Sequence, residues 1–221
     1  MRYNLESGRY LSHVAPHATG FLRCKNNLYF CGKISLKMNR FDQQTLIEEV
    51  LYILEKTGGI DYYHLFKILY FAERLHLAEW GSRLNADDFC ALDYGPVPTH
   101  LYDAVKELKS GSVHSSLAAM LAEAVEFAGE DAPNVLLAKR RPDMDFLSKA
   151  CIEELDKSIT RHSTQSFRQL KDASHDDAWK EAYHTSGLRT MSTLSIAKAG
   201  HADAAMIDYI REQLEIDDLL K

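Results

Sequence analysis

The stretch that decides the fold is residues 61–81, which read DYYHLFKILYFAERLHLAEWG. Asp61 is a residue type that caps the N-terminus of a helix, and Gly81 is the type that most often follows a last helical turn. The residues between them predict one helix with a buried apolar face, and polar members such as Lys67 and Glu73 are expected on its solvated face. The apolar face consists of residues spaced by three or four positions, namely Leu65, Ile68, Leu69, Ala72 and Leu75.

Helical periodicity continues on both sides of this stretch. Upstream, a helical pattern opens at Met38, with Asp42 as the predicted N-cap and Gly58-Gly59 as the stop. Downstream, Ser174 is predicted to cap one helix, and a last helix with three-to-four spacing follows at about 202–214. The pattern predicts a mainly α fold, a single compact helical domain with a small β element, preceded by an irregular N-terminal segment. The downstream helices are predicted at 99–109, 148–159, 166–170, 174–182 and 202–214.

The β element is predicted from two short apolar runs. Residues 89–92 read as a strand or an extended connection, and residues 135–138 as a strand that pairs with them. Between these runs, residues 94–98 have the sequence YGPVP, in which both prolines fix their own φ and restrict the preceding residue. We therefore expect a rigid turn at 94–98.

Residues 1–37 differ from the rest of the chain. They contain six Lys and Arg residues against one acidic residue, so they carry +5 of a chain whose net charge is −6, and the remainder carries −11. They show no period of 2 or 3.6, which predicts a poorly ordered basic extension ahead of a domain at 38–221. A segment upstream of a start at Met38 is an alternative, and so is a zinc site, although its spacing is loose; its ligands would be His13, His17, Cys24 and Cys31.

Charge and composition exclude several classes of protein. An acidic main body is a poor match for nucleic acid, because phosphate contacts need clustered cations, and no basic recognition helix follows Met38 that would suit a DNA-binding autoregulator. The apolar runs are far shorter than the roughly 20 residues that cross a bilayer. The four cysteines are irregularly spaced and do not form a secreted disulfide framework. The sequence therefore predicts a cytoplasmic protein with a protein partner, without a membrane span.

Several motifs, in order along the chain, resemble the Panacea domain family, which includes the SocA antitoxin and phage-associated GepA-type proteins. The similarity extends over roughly residues 39–215 and does not include residues 1–37. It is carried by KILYFAER at 67–74, Gly81, Ala91, YGPV at 94–97, Leu101-Tyr102, Leu147-Ser148 and SHDDAW at 174–179.

The resemblance implies an antitoxin that binds and neutralises a toxin encoded beside it. In the SocA branch it implies, in addition, an adaptor that delivers the toxin to the ClpXP protease. Members of the family pair with many unrelated toxins, so the family name does not identify the partner. The sequence contains no evident catalytic constellation, so we expect no cofactor and no catalytic residues.

The partner-binding surface is predicted around the turn at 94–98 and on nearby exposed positions. Tyrosine offers a large, rigid contact area at small entropic cost, acidic side chains can steer a basic toxin, and proline keeps the turn in one conformation. The competing interpretation is structural, with a turn that only orients the next helix and a helix start at 174–177 that only satisfies free N–H groups. The candidate contact residues are Asp93, Tyr94, Pro96, Val97, Tyr102, Asp103, His175 and Asp176.

An enzyme remains the alternative to a binding protein. A small cytoplasmic hydrolase would use Cys90 as a nucleophile or His175 as an acid–base group, and would need two or three titratable groups in one pocket. Cys90 lies among apolar residues, which favours a buried and inert thiol. His175 and Asp176 are adjacent, and neighbouring residues on a helix splay about 100° apart, which is poor geometry for a relay.

Overall fold

The central element of the computed structural model, which describes residues 38–185, 187 and 189–220, is a long helix that begins after Asp61. The described residues pack into one unit, and the mainly α prediction with a small β element is confirmed. The helices are α1 (Arg40–Thr57), α2 (Tyr62–Trp80), α3 (Thr99–Ser110), α4 (Ser116–Ala124), α5 (Lys149–His162), α6 (Phe167–Ser174), α7 (Asp177–His184), α8 (Thr193–Ala199) and α9 (Ala204–Leu219).

Helix α2 begins and ends where the sequence predicts. The Asp61 side chain accepts hydrogen bonds from the backbone N–H groups of Tyr63 and His64, and Gly81 ends the helix with a bond to the Leu77 carbonyl. Its neighbours are α5, α8, α6 and the strand at 95–98. Because the helix is surrounded in this way, apolar residues around most of its circumference are buried.

The polar residues of α2 correct one expectation. Lys67 and Glu73 were predicted on a solvated face, but both are fully buried. The Glu73 carboxylate accepts a hydrogen bond from the Leu84 backbone at 2.7 Å and pairs with Arg83 at 3.2 Å. Burial raises the pKa of Glu73, while Arg83 opposes that rise. The helical period identifies apolar positions, and it does not reveal which polar ones have internal partners.

Two predicted helix caps were wrong. Helix α1 is capped by Asn39 and not by Asp42, which is the third residue of the helix. The Asn39 side chain accepts a hydrogen bond from the Asp42 N–H, and the Asp42 carboxylate accepts one from the Asn39 N–H, which is a capping box. Ser174 is the last residue of α6, which is longer than the predicted 166–170, and Asp176 caps α7. In both places several residues of cap type stand close together, so residue type alone does not select the cap.

The strands form two small antiparallel sheets. Residues 135–138 were predicted to pair with 89–92, and this pairing was wrong. One edge of the strand at 89–92 pairs with the strand at 95–98. Its other edge forms a β-bridge between Cys90 and Thr190, so both edges are occupied. The strands are β1 (Ile60–Asp61), β2 (Phe89–Leu92), β3 (Gly95–Pro98), β4 (Val125–Phe127) and β5 (Val135–Ala138), in the orders β1-β5-β4 and β2-β3.

The predicted turn at 94–98 is shorter than expected. The chain reverses at Asp93-Tyr94, and β3 follows immediately as a strand that contains both prolines. Strand β3 is an edge strand, where a missing N–H is tolerated. Opposite Pro96, the Ala91 N–H points away from β3 and donates to the Arg189 carbonyl at 2.8 Å.

None of the helices in the described residues is long and apolar enough to cross a membrane. The predictions for residues 1–37, including the zinc alternative on His13, His17, Cys24 and Cys31, lie outside the described residues.

Candidate partner-binding surface

The tip of the β2–β3 hairpin lies against α2 and α6. The Tyr63 hydroxyl of α2 donates to the Tyr94 carbonyl at 3.3 Å. The Tyr94 ring contacts the edge of Phe167 at 5.8 Å between centroids, and the Lys171 ammonium lies 5.6 Å from the same ring. Tyr94 nevertheless keeps 40% of its surface exposed. We use the name hairpin-tip surface for Asp93, Tyr94, Phe167, Lys171, His175, Tyr183 and Arg189.

A stack of rings forms the second half of this surface. His175 lies on Trp179 at 3.7 Å between centroids, Trp179 on Tyr183 at 4.4 Å, and the Arg189 guanidinium lies 4.2 Å from the Tyr183 ring. Trp179 is buried, and its indole N–H donates to the Leu92 carbonyl at 2.9 Å, which ties α7 to β2. The two outer rings of the stack, His175 and Tyr183, are therefore partly exposed, and the buried Trp179 between them holds the stack in place.

Asp93 joins the two halves of the hairpin-tip surface. Its carboxylate accepts from the Tyr183 hydroxyl at 3.0 Å and pairs with Arg189 at 3.3 Å. The carboxylate is two-thirds exposed, so this pair contributes at most about 1 kcal/mol to stability. The main effect of this pair is on the surface charge. The positive charge of Arg189 offsets the negative charge of Asp93, which was predicted to steer a basic partner.

Lys67 supports the hairpin from beneath. Its ammonium donates to the Pro96 carbonyl at 2.6 Å and lies 4.7 Å from the Tyr63 ring. Burial holds the pKa of Lys67 well below its ordinary value. Gly95 packs directly on this lysine, because a side chain there would meet Ser174 and Lys67. The hairpin is thus fixed to α2 by a polar contact inside the protein.

The surroundings of His175 favour its neutral form. Burial lowers the pKa of the imidazole, and Lys171 and Lys67 lower it further, while Asp172 and Asp176 oppose them. A lowered pKa favours the uncharged ring in the stack at neutral pH.

Removal of the buried charge of Lys67 should change how stability depends on pH. Because the native pKa is lowered and the unfolded value is about 10.4, the unfolded chain binds more protons than the native one between these two values. The free energy of unfolding contributed by this group therefore rises with pH in that interval. We expect Lys67→Met to abolish that rise, as measured by urea unfolding at about pH 7 and about pH 9. Equal pH slopes for the two proteins would contradict the assignment.

A sequence model of the family described as antitoxin SocA-like, Panacea domain, matches residues 65–180, slightly more than half of the chain. The chain belongs to this family. No curated protein and no solved structure matches it. The matched range includes nearly all of α2, the hairpin and the first half of α7, and it ends before Tyr183 and Arg189. In this Panacea domain the hairpin-tip surface therefore lies partly inside and partly outside the family's matched region.

The predicted contact residues fall into four groups, of which the first two are at the hairpin. Asp93 and Tyr94 are exposed at the hairpin tip, and His175 is half-buried beside them. Pro96 and Val97, which were predicted as contact candidates, are buried in β3 and are not part of the exposed surface. They lie behind the surface because β3 packs on α2 and α6.

Asp176 has internal partners. Its carboxylate accepts from the Tyr70 hydroxyl at 2.7 Å and from Arg74 at 3.0 Å, and it also caps α7 through the Trp179 N–H. The adjacent His175 contacts a different group, the Trp179 ring. Asp176 therefore holds α2 and α7 together, and the two neighbours do not form the acid–base pair considered from the sequence.

Tyr102 and Asp103 lie on α3, away from the hairpin tip. The Tyr102 ring meets the edge of Phe66 at 6.0 Å, and Asp103 lines a separate cleft with His100 and Glu107. Strand β3 separates the two places, since the tip is at its start and α3 begins at its end.

The residues of the hydrolase alternative occupy different settings. Cys90 is buried in β2 opposite Val97, and His175 stacks on Trp179 between α6 and α7. Among the described residues, no three His, Cys, Asp or Glu side chains are grouped so that they could hold a metal ion.

Sequence reasoning missed four members of the hairpin-tip surface, namely Phe167, Lys171, Tyr183 and Arg189. One signal was present, because His175, Trp179 and Tyr183 are spaced by four and such residues lie above one another along a helix. Arg189 gives no such signal, since it reaches the stack through the bridge to β2.

Proposed function

We propose that this Panacea domain protein is an antitoxin that neutralises a toxin protein, encoded nearby, by binding it directly through the hairpin-tip surface. The observation that carries the proposal is the match to the antitoxin family over residues 65–180, since this range includes α2, the hairpin and the start of α7. The surface includes Tyr94, Tyr183 and Arg189, and tyrosine and arginine are enriched at binding hot spots.

Preorganisation supports this choice of surface. The Tyr94 carbonyl is held by Tyr63, the Asp93 carboxylate by Tyr183 and Arg189, and the ring stack by the Trp179 indole. Side chains that are already fixed lose less entropy when a complex forms, so more of the contact energy appears as affinity.

The charge of the chain supports a basic partner at longer range. The net charge is −6, and an overall negative field accelerates encounter with a positively charged protein in a salt-dependent way. At the tip itself the Asp93–Arg189 pair offsets the charge locally. Recognition there rests on ring contacts and hydrogen bonds, while the net charge contributes to the association rate.

Tyr94→Ala should separate binding from stability. Since the ring is partly exposed, we expect a loss of about 1–3 kcal/mol in toxin binding, typical of an interface tyrosine, with unfolding changed by less than about 1 kcal/mol. The measurements are isothermal titration calorimetry with the purified toxin and thermal unfolding of the free proteins.

Phe41→Ala is the matched control, because Phe41 is an exposed aromatic residue on α1 that contacts Phe146 and lies outside the hairpin-tip surface. This variant should keep its affinity. If Tyr94→Ala lowered the melting temperature strongly while the folded fraction bound normally, the hairpin tip would be structural and the proposed surface would be wrong.

The mode of neutralisation has its own test. Steric neutralisation leaves the toxin at a constant level, whereas an adaptor for the ClpXP protease lowers it. We propose steric blockade, because it needs only the hairpin-tip surface, whereas an adaptor needs a second surface that contacts the protease. Toxin half-life in cells with and without ClpXP should then be equal, and a half-life that shortens only when both this chain and ClpXP are present would contradict it.

A further inference from the structure

The last helix has two different faces. On one, Ile207 and Ile210 are buried, and α9 packs on α8. The Tyr209 ring and Met206 cover Gly81 at the end of α2, where a side chain would meet them at 2.7 Å. From Arg211 to Leu220 every residue is exposed except Leu214, which is half-buried. Helix α9 is therefore attached by its first half, and its second half extends from the body.

A stripe with coiled-coil spacing begins at Tyr209, in the attached half of α9, and continues along the exposed half to Leu220, the residue that follows the helix. Tyr209, Gln213, Ile216 and Leu220 are separated by four, three and four positions, which aligns them on one side of a helix. The exposed fractions are 48% for Tyr209, 47% for Ile216 and 80% for Leu220. Isolated apolar residues on a surface are ordinary, but three of them lie along this one helical line, with Gln213 between the first two, and all three face solvent.

Among the described residues, the charges that flank the stripe are negative. At 100° per residue, Glu212 and Asp217 flank it on opposite sides, and neither forms an ion pair with another described residue. Asp217 also lies in the last turn of α9, at the negative end of the helix dipole, and this turn contains no basic residue. A cation of a partner beside Asp217 would therefore be favourable.

These features argue against a second copy of this chain as the occupant. In a parallel pair of α9 helices, Glu212 of one would approach Asp217 of the other, and like charges facing each other are destabilising.

We propose that the stripe of α9 is a docking site for a basic amphipathic helix of a partner protein. The partner's apolar face would cover Tyr209, Ile216 and Leu220, and its Lys or Arg side chains would pair with Glu212 and Asp217. This site lies outside the family's matched residues and is separate from the hairpin-tip surface, so it goes beyond the proposed function.

The test uses two synthetic peptides of about three heptads, with Leu at the core positions. One carries Lys at the flanking positions and the other carries Glu, and each is titrated with the full chain by fluorescence anisotropy. We expect the Lys peptide to bind at least about tenfold more tightly than the Glu peptide, with an affinity that falls as salt is added. Ile216→Asp should weaken the Lys peptide by about tenfold or more, because it places a charge in the stripe.

Two controls make the result specific. Ile216→Asp makes the surface more acidic, so a merely electrostatic attraction to the Lys peptide would increase and not fall. Val113→Asp introduces the same charge at an exposed apolar residue after α3 and should leave binding unchanged. Tyr94→Ala should also leave peptide binding unchanged, which keeps this test independent of the toxin-binding proposal.

Any of three results would overturn the proposal. Equal affinities for the two peptides would remove the charge argument, and normal binding by Ile216→Asp would remove the stripe. The third result is dimerisation of the chain, measured by sedimentation at increasing concentration, that Ile216→Asp abolishes. The stripe would then be covered by a second copy of this chain.

Discussion

Replacing Gly95 by alanine should lower the free energy of unfolding by about 2–6 kcal/mol. Gly95 has a φ of 98°, which non-glycine residues rarely adopt, at a cost of about 1–3 kcal/mol. An added Cβ would also lie 2.6 Å from the Ser174 hydroxyl and 3.1 Å from the Lys67 ammonium, and overpacking of a buried site costs about 1–3 kcal/mol more. Urea unfolding followed by circular dichroism measures the change.

Gly129→Ala separates the two contributions. Gly129 has a φ of 109°, and a side chain there would meet nothing within 4 Å, so only the backbone cost of about 1–3 kcal/mol applies. The excess loss in Gly95→Ala then reports the packing of the hairpin on Lys67. If the two variants lost equal stability, the hairpin would not be packed against α2 as described.

Truncation of Trp179 to alanine should cost about 3–5 kcal/mol, which is typical of a buried tryptophan. The change removes the stack between His175 and Tyr183 and the bond from the indole to the Leu92 carbonyl. Since this bond ties α7 to β2, we also expect weaker toxin binding in the fraction that remains folded. Urea unfolding and calorimetric titration measure the two effects.

The chain's other tryptophan provides the control. Trp80 is about half exposed and makes one longer hydrogen bond, 3.3 Å to Glu154. Trp80→Ala should cost about 1 kcal/mol and leave toxin binding intact. A Trp179→Ala variant as stable as Trp80→Ala would mean that the ring stack does not anchor α7.

The helices could be predicted from local signals because their ends are set by nearby residues. Asp61 and Ser148 cap the helices that follow them, as residue type predicts, and Gly81 ends α2. The choice between Asn39 and Asp42 could not be made in this way, since both side chains accept a bond in the same capping box. Local chemistry therefore predicts that a helix is present more reliably than it predicts the first residue of that helix.

Strand pairing could not be predicted because it joins residues that are far apart in sequence. Strand β5 pairs with β1, about 75 positions away, and β2 is bridged to Thr190, about 100 positions away. Short apolar runs contain no information about which other run lies beside them. The burial of Lys67 has a similar origin, since its partner is a carbonyl of the hairpin.

The candidate surface was predicted in part. Tyrosine, aspartate and proline types indicated the hairpin tip, and Asp93 and Tyr94 are exposed there. Proline chemistry did not distinguish a turn from an edge strand, so Pro96 was misplaced on the surface. Arg189 completes the surface only through the fold, because the bridge at Thr190 brings it to the hairpin.

Growth of cells that co-express this chain with each protein encoded beside its gene tests the antitoxin role most directly. The account predicts that one neighbour is toxic when expressed alone and harmless with this chain. It also predicts that Tyr94→Ala weakens the rescue while Phe41→Ala does not. The account would be contradicted if no neighbour were toxic, or if a toxic neighbour still stopped growth in cells that contain the folded chain.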